Sequence, residues 1–296
     1  MSIQITTEFV QQYTRGIDLL VQQKGSRFRN AVRMETGIRG KQAFFDQIGA
    51  TAAVQRTTRH SDTPIVNTPH ARRMAPMIDY EWADLVDDPD KIKVLNDPTN
   101  TYSQNAAHAM SRAMDDEVIA AALGTAATGE TGVGTETWPV PGLGNQDTGG
   151  GGGGPLTIAR VLAASEFLKQ QENDPDEPWY MTLTAEAERD LLEDGSAATS
   201  IVSRDFVSDQ PLVTGSLRKA LGFNFIPTQR VALTGGGFQR LFCWRQSALL
   251  LAIGKDSSGR ITERPDKSYS TQVFYGMTIG AVRMEAEGVY EIQITP

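Results

Sequence analysis

Cysteine occurs once in this 296-residue chain and histidine three times. No apolar run approaches the roughly 20 residues needed to cross a bilayer as a helix. Each shortage removes a class of function. The lone thiol, Cys243 in RLFCWRQ, cannot close an internal disulfide, and its apolar neighbours mark it as a small core residue. That usage points to a reducing compartment at synthesis. His60, His70 and His108 have neither cysteine partners nor a second histidine at i+4, so they read as surface or packing residues rather than metal ligands. The start, MSIQITTEFVQQY, has no basic region leading into an apolar core, so no signal peptide is expected. Basic charge is also short. Lys+Arg number 28 against 36 Asp+Glu, a net charge of −8, which disfavours a broadly basic nucleic-acid binder. Hydrophobic and charged contents of 40% and 22% suit a globular protein of one large or two modest domains.

Catalytic signatures are missing too. The most conspicuous glycines, Gly149–Gly154 in QDTGGGGGGPLTIARV, are followed by Pro155 and Leu156, where a P-loop needs Lys and then Ser or Thr. A dinucleotide fingerprint needs a strand directly before the glycines, and loop composition precedes them. The run therefore reads as a flexible surface excursion. GIRGKQ at 37–42 fails the P-loop pattern at Gln42. No G-x-S-x-G is present. Asp115-Asp116-Glu117 cannot jointly flank one substrate, because consecutive helical residues point apart, so the triplet reads as a solvated face.

Charge distribution says more than its sum. Arg27 to Arg73 holds nine Lys/Arg against three acids, Met74 to Asp97 holds seven acids against two lysines, and Glu172 to Asp194 holds nine acids against Arg189. A basic arm and two acidic patches on one chain fit either solvated surface or head-to-tail complementarity between copies.

Periodicity predicts the elements. TEFVQQYTRGIDLLVQQK at 7–24 places Phe9, Tyr13, Ile17, Leu20 and Val21 on one helical face. QIGATAAVQ at 47–55 and IDYEWADL at 78–85 alternate as strands, joined by a polar, proline-bearing stretch, so they predict a long hairpin with an irregular tip. Such a hairpin is marginal alone and needs a partner surface. Residues 99–124 predict the longest helix, with Ala106, Met110, Ala113, Met114, Glu117, Val118 and Ala121 in line and Gly124 as its stop. The Gly/Thr/Pro-rich 125–155 predicts an exposed loop. A second helix follows at 156–171 with Leu156, Ala159, Leu162, Ala163 and Phe167 inward, then a buried strand in PWYMTLT and a helix opened by Thr184. LVTGSLRKALGFNFIPT reads as turn, short helix and strand, FQRLFCWRQSALLLAIG as strand, and the tail as closing antiparallel strands.

In this order, the stretches ITTEFVQQYTRGIDLLVQQKGSRFRNAV, NAAHAMSRAMDDEVIAAALG, LVTGSLRKALGFNFIPT and CWRQSALLLAIG resemble those of the major capsid proteins of tailed bacteriophages with the HK97-type fold. The resemblance covers nearly the whole chain. It implies an α+β capsid fold with an N-terminal arm at 1–30, an extended loop at 31–86, a peripheral domain with spine helix at 87–124 and 271–296, and an axial domain at 125–270. It implies a shell subunit, not an enzyme, with no cofactor and no membrane. Its partners are copies of itself in pentamers and hexamers, a scaffolding protein in trans, a portal protein and possible decoration protein, with packaged double-stranded DNA in non-specific proximity. The place is the virion capsid, assembled in the host cytoplasm. Expected inter-subunit contacts are Arg56, Arg59, Arg72 and Arg73 against Asp84, Asp87, Asp88 and Asp90, with Phe9, Tyr13 and Ile17 on the arm. Two alternatives stay open: an encapsulin-like compartment of the same fold, and an enzyme using acids such as Glu188, Asp190 and Asp194.

Overall fold

In a computed structural model, residues 22–60, 62–87, 99–171, 174, 176–193 and 217–296 are described. Phe9, Tyr13, Ile17, Asp88, Asp90 and Asp194 lie outside them. The organising element is α1, Thr99–Leu123, a helix of 25 residues. Its alanines and methionines let it lie close on a sheet: Ala106, Met110, Met114, Val118 and Ala122 are buried at four-residue spacing. Beneath it runs a four-stranded sheet in the order β1 (Arg33–Thr36), β12 (Leu249–Arg264), β13 (Ser270–Arg283), β4 (Ile78–Val86). Tyr80 and Trp82 of β4 pack toward the core shared with α1. The incoming chain closes that core from the other side. Phe28 stacks on Trp244 at 5.6 Å, Trp244 Nε1 donates to Ala31 O at 2.8 Å, and both rings are buried.

A second body surrounds a six-stranded sheet ordered β7 (Gln146–Asp147), β14 (Val289–Ile294), β11 (Gln239–Arg245), β8 (Trp179–Leu183), β10 (Phe223–Pro227), β9 (Lys219–Ala220). Helices α2 (Ile158–Gln170) and α3 (Ala185–Glu193) belong to its core. Thr184 caps α3, its Oγ1 accepting from Ala187 N at 3.3 Å. Cys243 sits in this core, where burial pushes the thiol up. A third sheet, β2 (Gln42–Ile48), β3 (His70–Pro76), β5 (Ala126–Thr128), β6 (Gly134–Glu136), carries the hairpin.

The structure corrects several sequence expectations. The hairpin arms are β2 and β3, whereas IDYEWADL belongs to the sheet under α1. The alternation in QIGATAAVQ was carried mostly by alanines, and the aromatic pair Phe44-Phe45 marks the real strand. Residues 125–155 are not one open loop, because β5 and β6 extend the hairpin sheet. On α2 the buried face is Ile158, Val161, Ala164, Phe167 and Leu168, not the Ala159–Leu162–Ala163 face. Lys219–Ala220 pairs with β10 as a strand, where a short helix was expected. The sheets cross the expected division at residue 270 in both directions, since β12 pairs with β13 and β14 with β11.

The glycine run is no loose excursion either. Gly153 is buried at φ +74°, and a Cβ there would lie 2.8 Å from Phe238 Cδ1 and 3.0 Å from Thr295 N. Thr295 N donates to Gly154 O at 3.2 Å, and Arg160 ties the turn to Gln293 O at 2.6 Å and to Asp147 at 2.6 Å. Five of the six glycines sit at positive φ, and Gly153 gives the close approach to the last strand. Gly153→Ala is therefore expected to lower stability by roughly 1–3 kcal/mol, read as a drop in denaturation midpoint. An unchanged midpoint contradicts the pinned turn.

Candidate assembly surfaces

The hairpin stem alternates by parity. Ala43, Phe45 and Gln47 face the body, while Phe44, Asp46 and Ile48 face out. Register sets Asp46 opposite Arg72, and the two form an ion pair at 2.5 Å beside Phe44, whose ring lies 5.8 Å from the Arg72 guanidinium. Four connections bolt the stem down. Gln47 Nε2 and Arg73 Nε each donate to Met284 O at 2.9 Å, Arg73 pairs with Glu136 at 2.7 Å, and Pro76 O crosses Gly280 so closely that a Cβ would sit 2.1 Å from it. Beyond the last rung, Gly49 N to Pro69 O, the chain changes character: every described residue from Gly49 to Pro69 is exposed and none is in a strand.

The bolts converge on a junction at the C-terminal end of α1. Arg283 is fully buried and donates to Ala122 O at 2.9 Å and Gly124 O at 2.8 Å, lies 4.6 Å from the Trp138 ring and faces Glu136 at 3.7 Å. Arg240 reaches Leu123 O at 3.4 Å and pairs with buried Glu291 at 2.7 Å. Two guanidiniums thus satisfy the last carbonyls of the helix and meet its negative pole. Burial pulls the Arg283 pKa down to about 10, Glu136 opposing it, so the group remains charged near neutrality. For Glu291 burial pushes upward, but bonds from Arg240, Gln293 and Trp138 outweigh it and hold the carboxyl below its usual range.

The acids weighed for catalysis are tied to neighbouring elements. Asp115 is buried, not solvated, and accepts from Ser26 Oγ at 2.5 Å, Arg27 N at 3.1 Å and Phe28 N at 3.3 Å, so it anchors the incoming chain. Asp116 pairs with Arg230, and Glu117 accepts from Tyr80 Oη. Glu188 accepts from Leu217 N at 2.7 Å and Asp190 from Leu156 N at 3.1 Å, which makes both structural braces.

Comparison with protein families settles what this architecture is: a model described as phage capsid protein matches residues 5–295. The chain belongs to that family. The capsid structure of cyanophage P-SCSP1u is similar, with TM-score 0.72 and 14% identity over 98% of this chain and 94% of that one. The capsid asymmetric unit of cyanophage Pam1 gives 0.71 and 14% over 98% and 97%, and a chain of Mycobacterium phage Che8 gives 0.68 and 17% over 97% of each. At such identities the likeness is one of fold, the HK97-like capsid fold. Comparison with curated protein sequences gives no match.

In this capsid subunit the expected contact residues separate into two sets. Arg56 and Arg59 are on the exposed tip, where Arg56 donates to Thr58 O at 3.0 Å. Arg73 is buried in the stem and engaged within the chain, and Arg72 is paired with Asp46. Asp87, just past the end of the edge strand β4, accepts from Ser270 Oγ of β13, while Asp84 is half-buried on the α1 side and accepts from Leu85 N. Sequence reading passed over Asp79 and Glu81, which alternate onto the exposed face of β4; strand parity was the signal. It also passed over the outward Phe44, Ile48, Ile65 and Val66.

Two outcomes test the junction. Glu136→Gln leaves Arg73 and Arg283 without a counter-charge, and the subunit is expected to lose about 3 kcal/mol, with faster hydrogen exchange in β2 and β3 than elsewhere. Uniform exchange changes contradict a clasp on the stem. Because Glu291 titrates lower when folded, its stabilisation is complete above the unfolded glutamate value of about 4.3 and is lost as pH falls through the folded value. Thermal scans of Glu291→Gln against the parent should therefore show a flatter acid limb below about pH 4.

Proposed function

We propose that this capsid subunit builds an icosahedral head shell from pentamers and hexamers, with the hairpin tip laid across a neighbouring copy. One observation carries the reading. The stem is bolted to its own body, yet the whole described tip is exposed, with Ile65 92% exposed. Such a segment gains its missing burial on another surface, and permanent interfaces of this kind bury on the order of 2,000 Å² or more. Arg56 and Arg59 then meet carboxylates of the next copy, drawn from Asp84, Asp87, Asp88 and Asp90 together with Asp79 and Glu81. Arg72 and Arg73 serve by holding the stem at its angle. Phe9, Tyr13 and Ile17 belong to an N-terminal arm that reaches a neighbour.

On this reading the sheet under α1 is the peripheral part and the six-stranded sheet the axial part, which meets its copies around the capsomer axis. A scaffolding protein acts in trans during assembly in the host cytoplasm, a portal occupies one vertex, and a decoration protein has the outer face available. The net negative subunit keeps packaged DNA from adhering tightly to the wall.

Arg56→Glu combined with Arg59→Glu tests this. Both side chains are exposed, so circular dichroism and melting of the soluble subunit should match the parent. Particle yield in electron micrographs and sedimentation should fall about tenfold or more. Particles at parental yield overturn the tip contact.

A further inference from the structure

Helix α2 carries more apolar surface than its own core uses. With Ile158, Val161, Ala164, Phe167 and Leu168 buried, Leu162 remains 44% exposed. It lines a cleft of about 750 Å³ with Trp179, Leu221, Lys169 and Lys219. Leu221, 36% exposed, is held there at φ +53°, a conformation that non-glycine residues rarely adopt. Trp179 is buried, and its indole N–H is shut off from water with no acceptor among the described residues. The cleft also carries Asp176 and Glu177, but Glu177 is engaged by Ser247 and Arg245, which leaves an apolar seat between Leu162 and Leu221 with two lysines, Lys169 and Lys219, beside it.

The strand register locates a surface of this same chain that offers an exposed aliphatic side chain and an acid. Strand β8 begins at the cleft with Trp179 and ends at Leu183, and β10 runs parallel beside it, Phe223 opposite Trp179 and Pro227 opposite Leu183. At the far end lies Leu233, 62% exposed, bridged to Gln239. Gln239 Nε2 lies 3.5 Å from the Glu186 carboxylate. Between Leu233 and Gln239 the turn exposes Gly235, Gly236 and Gly237. Four residue steps along β8, roughly 13 Å, separate the cleft from this projecting end. Unlike but complementary surfaces at opposite ends of one sheet are what a head-to-tail contact requires, and such contacts close into rings by rotation.

We infer that the two ends of the six-stranded sheet are the two halves of one contact between copies of this chain. Leu233 of one copy enters the cleft between Leu162 and Leu221 of the next, and Glu186 meets Lys169 and Lys219. The inference rests on the shell reading above and names the surfaces that join subunits within a capsomer.

The full chain carrying both Leu162→Cys and Leu233→Cys is allowed to assemble and treated with a short bismaleimide. Cys243 is buried and does not compete. The expected product on denaturing gels is a covalent ladder ending at the ring size, with neither single variant giving one. Particles in normal yield without a ladder overturn this contact and leave the shell reading standing. Dimers from either single variant overturn it as well, because they signal a two-fold contact. A parent chain that never forms particles sinks both readings. A charge exchange gives an independent arm, with circular dichroism checking the fold of each variant. Lys219→Glu should reduce particle yield about tenfold, and adding Glu186→Lys should restore most of it. No loss, or loss without recovery, overturns the pairing.

Discussion

The buried arginine pair at the end of α1 is the constraint on which the rest of the subunit depends. A helix of this length ends in carbonyls that must find donors. Here the donors come from Arg283 on β13 and Arg240 on β11, and their counter-charges from Glu136 on β6 and Glu291 on β14. Arg73 of the hairpin stem shares Glu136. One junction thus joins α1 to all three sheets. Guanidinium suits this task better than an ammonium, since its planar fork serves several acceptors at once while its face rests on Trp138.

That arrangement explains why the molecule is rigid at one end of its hairpin and open at the other. Desolvating an arginine is costly unless acceptors and a counter-charge meet it, and Arg283 finds Ala122 O, Gly124 O and Glu136 in this one arrangement. The stem inherits that geometry through Arg73, Gln47 and the close crossing at Gly280. Past Gly49 every described residue up to Pro69 is exposed, and aliphatic side chains stand in solvent. A single chain gains nothing by holding a rigid stem under an exposed apolar tip. A shell gains a preset angle at which each copy meets the next.

Much of this was legible in the residues, and the misreadings have physical causes. The long helix, the buried strand at Trp179, the Thr184 cap and the core position of Cys243 follow from local pattern, because period and capping act over a few residues. What failed was non-local. The hairpin strand was placed at QIGATAAVQ because alanines alternate as well as larger residues do, yet only Phe44 and Phe45 have enough surface to define a stem. The inward face of α2 was misread because the helix has two apolar faces, and sequence alone does not say which one its own core takes. Asp115 passed as solvated because nothing in DDE reveals that Ser26 and the amides at 27 and 28 return to it across 87 residues or more. Arg73 passed as a contact residue for the same reason: its partners, Met284 and Glu136, are remote in sequence.

The glycine run turns these lessons into an argument about function. Six glycines beside a proline invite a phosphate-binding reading or a floppy-loop reading, and both treat glycine as a provider of freedom. In the folded subunit those residues provide thinness. Gly153 lets the turn approach Phe238 and Thr295 at distances no side chain allows, and Arg160 then laces the turn to β14. The segment therefore closes against the last strand of the six-stranded sheet. A chain that needed only to fold would have no use for the exposed Leu162 and Leu221 at one end of that sheet and the exposed Leu233 at the other. Both make sense when the sheet is one link in a ring, and the pinned glycine turn keeps that link the same shape in every copy.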